Sequence, residues 1–284
     1  MQSIYTSSSH LNERLALIGS YVLLSIAAVF FLFPIFVTVL NSLKPQAQVM
    51  KAVMAFPQQL FLDNYSEVLH EINFLRVFLN TLFITCSSVL GIVILSSMAG
   101  YKLSRTPGKL SYILFILFIS SMIIPFYSIM ISLIKVAKLL RIHNTVWGLP
   151  FIYIGIGVNF PIFLYHGFVK LTPAELEHAA KIDGCNEFQT FFRVIFPLLK
   201  PVNATVAILQ VIWIWNDFLL PLLMLINPRY YTLILSTSMF RSKYYVEWSN
   251  ILAAVVITCI PVIILYVFFQ RHIVKGITTG AVKG

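Results

Sequence analysis

Six long apolar runs constrain the fold of this chain more than any other feature of its sequence. Each run is longer than the roughly 20 mostly apolar residues that a helix needs to cross a bilayer. Because lipid cannot pair with backbone polar groups, a spanning run must form a helix, and none of the runs alternates as a barrel strand does. The predicted spans cover residues 15–40, 77–101, 110–134, 146–169, 201–226 and 248–270. The sequence therefore predicts an all-α polytopic membrane protein.

The composition argues against a soluble protein. Hydrophobic residues make up 59% of the 284 residues and charged residues only 11%, which is more apolar surface than a soluble core of this length needs. The net charge of +10 does not indicate nucleic acid binding, because the basic residues are scattered among the loops. We expect them to anchor loops to anionic lipid headgroups. Three dispersed cysteines, Cys86, Cys185 and Cys259, indicate neither a disulfide framework nor a metal site.

Basic residues also indicate which side of the membrane each loop faces. Six spans put both termini on one side, and the counts of Lys and Arg on the two sides, eleven and nine, barely differ. The loop after the second span carries Lys102, Arg105 and Lys109 and no acidic residue, which favours the cytoplasm. We therefore expect a cytoplasmic N-terminus over 1–14, a transmembrane domain over 15–271 and a cytoplasmic tail over 272–284.

Proline and small residues inside the runs predict how the helices bend and pack. Proline frees a backbone carbonyl and bends its helix, although a single proline is often merely tolerated by the packing around it. Five of them favour a bundle of bent helices with internal cavities; they are Pro34, Pro125, Pro161, Pro221 and Pro261. Small residues between Gly91 and Gly100 give the second span a face for close helix contact.

A polar insert over residues 171–200 separates the fourth and fifth runs, and its sequence predicts a short helix at its start. Thr172 is positioned to cap its N-terminus, Pro173 fits the first helical position, and Glu175 completes a capping box. Gly184 predicts a left-handed stop about three turns later. A second short helix is expected over residues 186–196, ending at Pro197.

The first insert helix has a bare stripe that another surface could approach. Ala179 and Ala180 form the stripe, and charged residues are expected to keep the rest of the helix in water, namely Glu175, Glu177, Lys181 and Asp183. One interpretation is a contact with a partner protein. The other is an amphipathic helix that lies on the lipid surface.

Asp217 is a charged residue placed inside the fifth run. An acid at the bilayer centre costs about 2.5–3.5 kcal/mol, so we expect it to face the bundle interior or a water-filled path. Asn216 and Asp217 would line a route for a polar solute, with Trp213 or Trp215 offering a flat face to a sugar ring. Alternatively, Asp217 stabilises a helix break by accepting hydrogen bonds from freed backbone N–H groups.

The sequence contains no recognisable catalytic or phosphate-binding motif. The histidines are scattered, no nucleophile is paired with a base, and no GxxxxGK[ST] loop occurs. We therefore expect no enzyme, no catalytic residue and no metal on this chain. If ATP supplies energy, another chain must bind it.

The insert resembles the signature loop of binding-protein-dependent ABC importer permeases. That signature is Glu-Ala-Ala, three residues, Gly, nine residues and Ile-x-Leu-Pro; here His178-Ala179-Ala180, Gly184 and Val194-Ile195-Phe196-Pro197 stand at that spacing. Flanking segments resemble the carbohydrate-uptake branch, specifically subunits similar to the smaller membrane subunit of the maltose transporter. These segments are residues 41–45, Asn64-Tyr65, Trp215-Asn216-Asp217 and 276–284.

The resemblance implies half of the membrane pathway of an importer for a mono- or oligosaccharide or related polyol. The implied partners are a second homologous permease, two cytoplasmic ATPase subunits that bind ATP and Mg²⁺, and an external solute-binding protein, all at a bacterial cell membrane. The implied ATPase-coupling residues are Glu175, Glu177, His178, Ala179, Ala180, Asp183 and Gly184. The implied tail contact comprises Gly280, Ala281, Val282, Lys283 and Gly284. Trp215, Asn216 and Asp217 remain the candidate translocation path.

The chain departs from the family pattern at the first signature position. His178 stands where the family usually has Glu, and the adjacent Glu177 points about 100° away on a helix. Any salt bridge to the ATPase from that position is therefore in question. An importer of another solute, such as a glycerol phosphodiester, a polyamine or an amino acid, is the alternative within the class. A membrane enzyme or a channel acting alone is the alternative outside it.

Overall fold

The computed structural model describes residues 2–241 and 245–281, and within them the chain is helical. No strand occurs in these described ranges, although Arg241 and Val246 form an isolated antiparallel bridge. The predicted all-α fold is confirmed. Fifteen α-helices are described: α1 Gln2–Ser42, α2 Gln46–Lys51, α3 Asp63–Glu71, α4 Phe74–Arg105, α5 Lys109–Ser121, α6 Phe126–Leu139, α7 Gly148–Gly157, α8 Asn159–Leu171, α9 Glu175–Ile182, α10 Glu187–Thr190, α11 Phe196–Leu198, α12 Lys200–Trp215, α13 Leu219–Met224, α14 Leu233–Ser236 and α15 Trp248–Ala281.

Short turns of other helix types connect some of these elements. Phe191–Ile195 is a π-helical turn between α10 and α11, and Pro228–Tyr230 and Thr237–Phe240 are 3₁₀ turns on either side of α14. The chain divides into two compact units, one of Met1–Glu71 with Phe240–Ile257 and one of Ile72–Met239 with Thr258–Gly284.

Three helices are long and apolar enough to cross a membrane without a break. They are Leu17–Ser42, Phe74–Arg105 and Trp248–Phe268, which match the first, second and sixth predicted spans. Three further pairs reach that length only together, because each is sharply bent. The bends are 105° between α5 and α6, 51° between α7 and α8, and 78° between Glu187–Leu198 and Lys200–Trp215. Counted as bent spans, these bring the described total to six.

The prolines explain some of these breaks but not all. Pro125 precedes α6 at the sharpest bend, and Pro161 lies in the first turn of α8 just after the second bend. Pro34 and Pro261 instead lie inside α1 and α15, which continue through them. The predicted bending at proline is therefore confirmed at the third and fourth runs, and at Pro34 and Pro261 it stays a prediction.

The fifth run does not form the single helix predicted over residues 201–226. Helix α12 ends at Trp215, residues 216–218 are not helical, and α13 begins at Leu219. The Asn216 side chain donates to the Ile212 carbonyl at 2.8 Å, and the Asp217 Oδ1 atom accepts from the Leu219 N–H at 3.0 Å. Side-chain bonds to the local backbone therefore replace the helical bonds at this point.

In the smaller unit, the segment after α1 is fixed around a buried lysine. The Lys44 side chain is 0% exposed, and its Nζ donates to Asn41 Oδ1 at 2.9 Å and to the carbonyls of Ala52 and Val53 at 3.1 and 3.0 Å. Asn64 Nδ2 donates to the Lys44 carbonyl at 2.8 Å. Burial lowers the pKa of the Lys44 ammonium. The expectation that the loop cations contact lipid headgroups is wrong at Lys44.

In the larger unit, α4 is the central helix, and it packs against α8, α7 and α12. The predicted small-residue face of α4 is confirmed. A Cβ atom at Gly100 would lie 2.6 Å from Tyr165 Cβ, and one at Gly91 would lie 2.3 Å from Ile154 Cδ1. These glycines let α4 approach α7 and α8 closely, and the buried residues of all four helices form one core.

Candidate functional site

The first insert helix, α9, begins later than the sequence predicts. Thr172 ends the preceding helix α8, and its Oγ1 donates backward to the Phe168 carbonyl at 3.3 Å. Helix α9 starts at Glu175 with Ala174 as its N-cap and no side-chain cap. The predicted Thr172–Glu175 capping box is therefore wrong, because the threonine hydroxyl is engaged with the helix before it.

A capping box does occur in the insert, at the start of α10. Asn186 Oδ1 accepts from the Gln189 N–H at 2.9 Å, and Gln189 Oε1 accepts from the Asn186 N–H at 2.9 Å. The Asn-x-x-Gln pattern in the sequence is the signal for this capping box, and it was not used to predict one. The second helical stretch begins at Glu187, one residue after the predicted start, and continues through the π-helical turn to Leu198 instead of ending at Pro197.

Gly184 ends the α9 region in the left-handed conformation predicted for it. Its φ is +82°, and a Cβ atom built there would meet nothing within 4 Å. Side chains other than glycine are strained at this φ. The space around Gly184 is therefore open on the side of this chain.

Glu177 faces inward and ties α9 to the end of α4. Its Oε1 accepts from Arg105 Nε at 2.6 Å and its Oε2 from the Tyr101 hydroxyl at 2.9 Å. The Arg105 Nη2 atom also donates to the Thr172 carbonyl at 2.7 Å. Glu177 is only 7% exposed, so the expectation that it keeps the helix surface wet is wrong. Arg105, which the sequence indicated only as a topology signal, is the ion-pair partner.

A second ion pair ties the other insert helix to the same turn of α4. Lys102 Nζ lies 3.1 Å from Glu187 Oε2, and both side chains are largely exposed, at 61% and 75%. Exposed pairs contribute about 0–1 kcal/mol, so this contact holds α10 weakly. The last turn of α4 therefore contacts both helices of the insert.

The outer face of the insert is exposed and partly apolar. Ile182 is 86% exposed, Phe188 65% and Leu176 41%. The six predicted coupling residues other than Glu177 divide between the two faces. Ala180 is buried, and the exposed ones are Glu175, His178, Ala179, Asp183 and Gly184. The predicted role of these residues in ATPase coupling stays a prediction.

Asp217 lies in the break after α12 and is held by three donors. Tyr153 donates to its Oδ2 at 2.9 Å, and the N–H groups of Leu219 and Leu220 approach its Oδ1 at 3.0 and 3.5 Å. This is the helix break that the sequence left open as an alternative. Asp217 also lines a cavity of about 630 Å³, so both interpretations of the residue remain compatible with its position.

The other two candidate path residues lie away from this cavity. Trp215 is 2% exposed and packs edge-on against Phe78 with ring centroids 6.1 Å apart. Asn216 is exposed, and neither residue lines the cavity. Trp213, which the sequence offered as an alternative to Trp215, does line it. A translocation role for Trp215, Asn216 and Asp217 stays a prediction.

The predicted tail contact falls at the limit of the described structure. Gly280 and Ala281 end α15, and Val282, Lys283 and Gly284 lie outside the described residues. Among the described residues, no group of three His, Cys, Asp or Glu side chains could hold a metal ion.

Comparisons with known proteins identify the family. Residues 91–279 match the model of the binding-protein-dependent transport system inner membrane component family. The chain is 40% identical to the probable starch degradation products transport system permease protein AmyC of Thermoanaerobacterium thermosulfurigenes, over 88% of this chain and 91% of that one. It is 35% identical to the multiple sugar-binding transport system permease protein MsmG of Streptococcus mutans, over 95% and 99%.

A solved structure is similar across nearly the same length. It is a crystal structure of a bacterial ABC transporter involved in the import of the acidic polysaccharide alginate, with a TM-score of 0.77 and 25% identity, covering 92% of this chain and 97% of that one. The chain belongs to the family of binding-protein-dependent transport system inner membrane components. The predicted family is confirmed, and with it the expectation of a membrane transport subunit rather than an enzyme.

Proposed function

We propose that this chain is a permease subunit of an ATP-driven carbohydrate importer and forms half of its translocation pathway. Its relatives are named for the transport of starch degradation products and of multiple sugars, and the similar solved structure imports alginate. The implied solute class is a mono- or oligosaccharide or a related polyol. ATP and Mg²⁺ would bind to two partner ATPase subunits, and an external binding protein would deliver the solute.

The observation that carries the proposal is the exposed face of the insert. A short helix that shows Ile182 at 86% exposure next to His178 and Ala179 has not buried its apolar surface within this chain. Exposed apolar residues on an otherwise polar segment are typical of a protein contact site. A cleft on an ATPase subunit would cover it as a helix-in-groove contact.

The Arg105–Glu177 ion pair of the insert favours the same function. ATP-driven closure of the ATPase pair would move α9, and the Arg105–Glu177 pair would pass that movement to α4 and so to the core of the larger unit. ATP would then favour one of two packings of the spans. Because Glu177 is engaged inward, it does not replace the glutamate that the family usually has at position 178. His178 would meet the ATPase there instead.

The same contacts support cytoplasmic termini. Lys102 and Arg105, in the basic segment that ends α4, contact the insert directly, so the two segments lie on one side of the membrane. An ATPase contact requires that side to be the cytoplasm, in agreement with the basic residues there. Because four spans precede the insert and two follow it, both termini would lie on the same side as the insert.

Isolation from the native membrane tests this function. In mild detergent the tagged chain should come out with an ATPase subunit and a second permease. The reconstituted assembly, with its binding protein, should hydrolyse ATP and take up at least one of three probes, maltotriose, raffinose or arabinotriose. Spermidine, glutamine and a glycerol phosphodiester serve as the non-carbohydrate controls. Uptake of only these controls, or solute transport by the purified chain alone, would contradict the proposal.

A further inference from the structure

A buried side chain on α12, Gln210, lines the cavity with an amide oxygen that has no hydrogen-bond partner among the described residues. The Gln210 side chain is 7% exposed, and its Oε1 atom accepts no hydrogen bond from the described residues. A buried acceptor that is left unpaired is unfavourable. Gln210 lines the cavity of about 630 Å³, so a donor inside that cavity would satisfy it.

An aromatic ring lies one turn further along the same helix face. Trp213 follows Gln210 by three residues, which places the two side chains next to each other. Trp213 is 40% exposed and lines the same cavity. Tyr153 packs edge-on against it, with ring centroids 5.5 Å apart and an interplanar angle of 85°. The indole is therefore held in one orientation, with part of its surface free.

The same tyrosine also positions the carboxylate of the cavity. Tyr153 is 0% exposed, and its hydroxyl donates to Asp217 Oδ2 at 2.9 Å. A carboxylate oxygen can accept more than one hydrogen bond, so Asp217 keeps capacity for a further donor. One buried side chain thus fixes both Trp213 and Asp217, as expected of a preformed ligand site rather than of a packing gap.

The rest of the lining narrows the class of ligand. Asn159 and Ser121 add polar groups, and no Lys or Arg is among the described residues that line the cavity. An anionic phosphodiester would therefore find no cation there, and an extended polyamine would find a single carboxylate, Asp217. Acceptors beside an aromatic face suit a neutral polyhydroxyl ring, which has hydroxyl edges and a CH-rich face.

Glycine at position 157 keeps this arrangement open. A Cβ atom there would lie 3.1 Å from Trp213 Cζ3, 3.4 Å from Gln210 Oε1 and 2.8 Å from Ile92 Cδ1. Gly157 itself lines the cavity. A larger residue would press on the two side chains that present the ring face and the free acceptor.

The geometry points to a carbohydrate subsite on this chain, in which a sugar ring lies against Trp213 and its hydroxyls donate to Gln210 Oε1 and Asp217. The inference rests on the proposed function and adds direct contact between this subunit and the solute. A cavity of this volume lies within the range of roughly 300–1,000 Å³ that small-ligand sites occupy.

Cysteine protection in the complete importer tests the subsite. Cys86, Cys185 and Cys259 are replaced by serine, Ser121→Cys is introduced in the cavity lining, and labelling by a maleimide is timed with and without maltotriose, raffinose or arabinotriose. A sugar that the importer transports should slow labelling about tenfold at ten times its Kd, by mass action. Asn159→Cys repeats the measurement from the other side of the lining.

Matched variants separate ligand contact from structure. Gln210→Met and Trp213→Leu should each raise the sugar concentration needed for half-maximal protection about tenfold, the effect of losing one good contact. Asn203→Leu removes a part-buried amide from the same helix, and Trp147→Leu an exposed tryptophan; neither residue lines the cavity. Both controls should leave protection unchanged. Each variant is compared at equal amounts of assembled complex.

The outcomes distinguish the subsite from the proposed function. Uptake of a sugar without protection of Ser121→Cys or Asn159→Cys would overturn the subsite and leave the importer proposal intact. Protection that survives in both Gln210→Met and Trp213→Leu would do the same. Uptake of spermidine or a glycerol phosphodiester, with no sugar transported, would overturn both.

Discussion

The Glu177 carboxylate accepts hydrogen bonds from two side chains of α4, Arg105 at 2.6 Å and Tyr101 at 2.9 Å. The ion-pair side chains are 20% and 10% exposed, so water screens them far less than an exposed pair. Breaking such a contact costs more than the ~1 kcal/mol of a surface pair and less than the ~3–5 kcal/mol of a fully buried one. A single residue of the insert thereby fixes its position on the membrane helix.

Removing the charge of Glu177 should uncouple the two activities of the importer. In Glu177→Gln the ion pair with Arg105 is lost, so movement of α9 would pass less efficiently to α4. We expect ATP hydrolysis to continue while the amount of sugar transported per ATP falls several-fold. The ratio is measured in proteoliposomes at equal amounts of complex.

Glu187→Gln is the control for that measurement. It removes the same charge from the insert, but its pair with Lys102 is exposed, so the ratio should stay near that of the parent. Equal ratios for Glu177→Gln and Glu187→Gln would show that the Arg105–Glu177 contact does not transmit the movement.

At the scale of elements, the sequence predicted helices better than it predicted their breaks. The runs that contain α1, α4 and α15 were legible because 20 or more apolar residues have one stable form in lipid. The bend at Pro125 had a local cause and was predicted. The bend at Val158 was predicted for the same reason, since Pro161 lacks the N–H that would bond to the Gly157 carbonyl.

The caps and ties of the insert show why the rest could not be predicted. A threonine such as Thr172 can bond backward to the preceding turn or forward to the next N–H, and only the end of α8 decides between them. Glu177 and Arg105 are 72 residues apart, and no local pattern joins them. The exposed face of α9 was predicted in part, because Ala179 is exposed and Ala180 is buried.

The segment after α1 is held by the hydrogen bonds of one buried side chain, Lys44. Lys44→Met would remove the donor that satisfies Asn41 Oδ1 and the carbonyls of Ala52 and Val53. Buried acceptors left unpaired cost about 1–3 kcal/mol. We expect amide hydrogen exchange in residues 45–62 to become about tenfold faster or more, as followed by mass spectrometry.

Lys51→Met provides the matched comparison for that exchange measurement. Lys51 is exposed, so the substitution makes the same change of charge without opening a buried network. Its exchange should equal that of the parent chain. Equal rates for Lys44→Met and Lys51→Met would mean that the lysine network does not hold the segment.

At the scale of the whole molecule, the family membership connects these features. The match over residues 91–279 covers α5 to α14, α15 as far as residue 279 and the part of α4 that contacts the insert, and the relatives extend over about nine-tenths of the chain. The family was predicted from the signature spacing of the insert together with residues 41–45, Asn64-Tyr65, Trp215-Asn216-Asp217 and 276–284, a combination that is highly specific. The membrane helix α1 also presents apolar side chains all round, with none of its span window buried, so lipid or another subunit must cover it.

Crosslinking from two adjacent alanines tests the central claim, that the outer face of α9 is held by an ATPase subunit. In a complex whose native cysteines are replaced, Ala179→Cys and Ala180→Cys are each treated with a short bifunctional thiol reagent. Ala179 is exposed and Ala180 is 6% exposed, so we predict a crosslink to the ATPase from position 179 and little from position 180. If position 179 instead labels only with lipid-soluble probes while sugar uptake and ATP hydrolysis proceed normally, the account is contradicted.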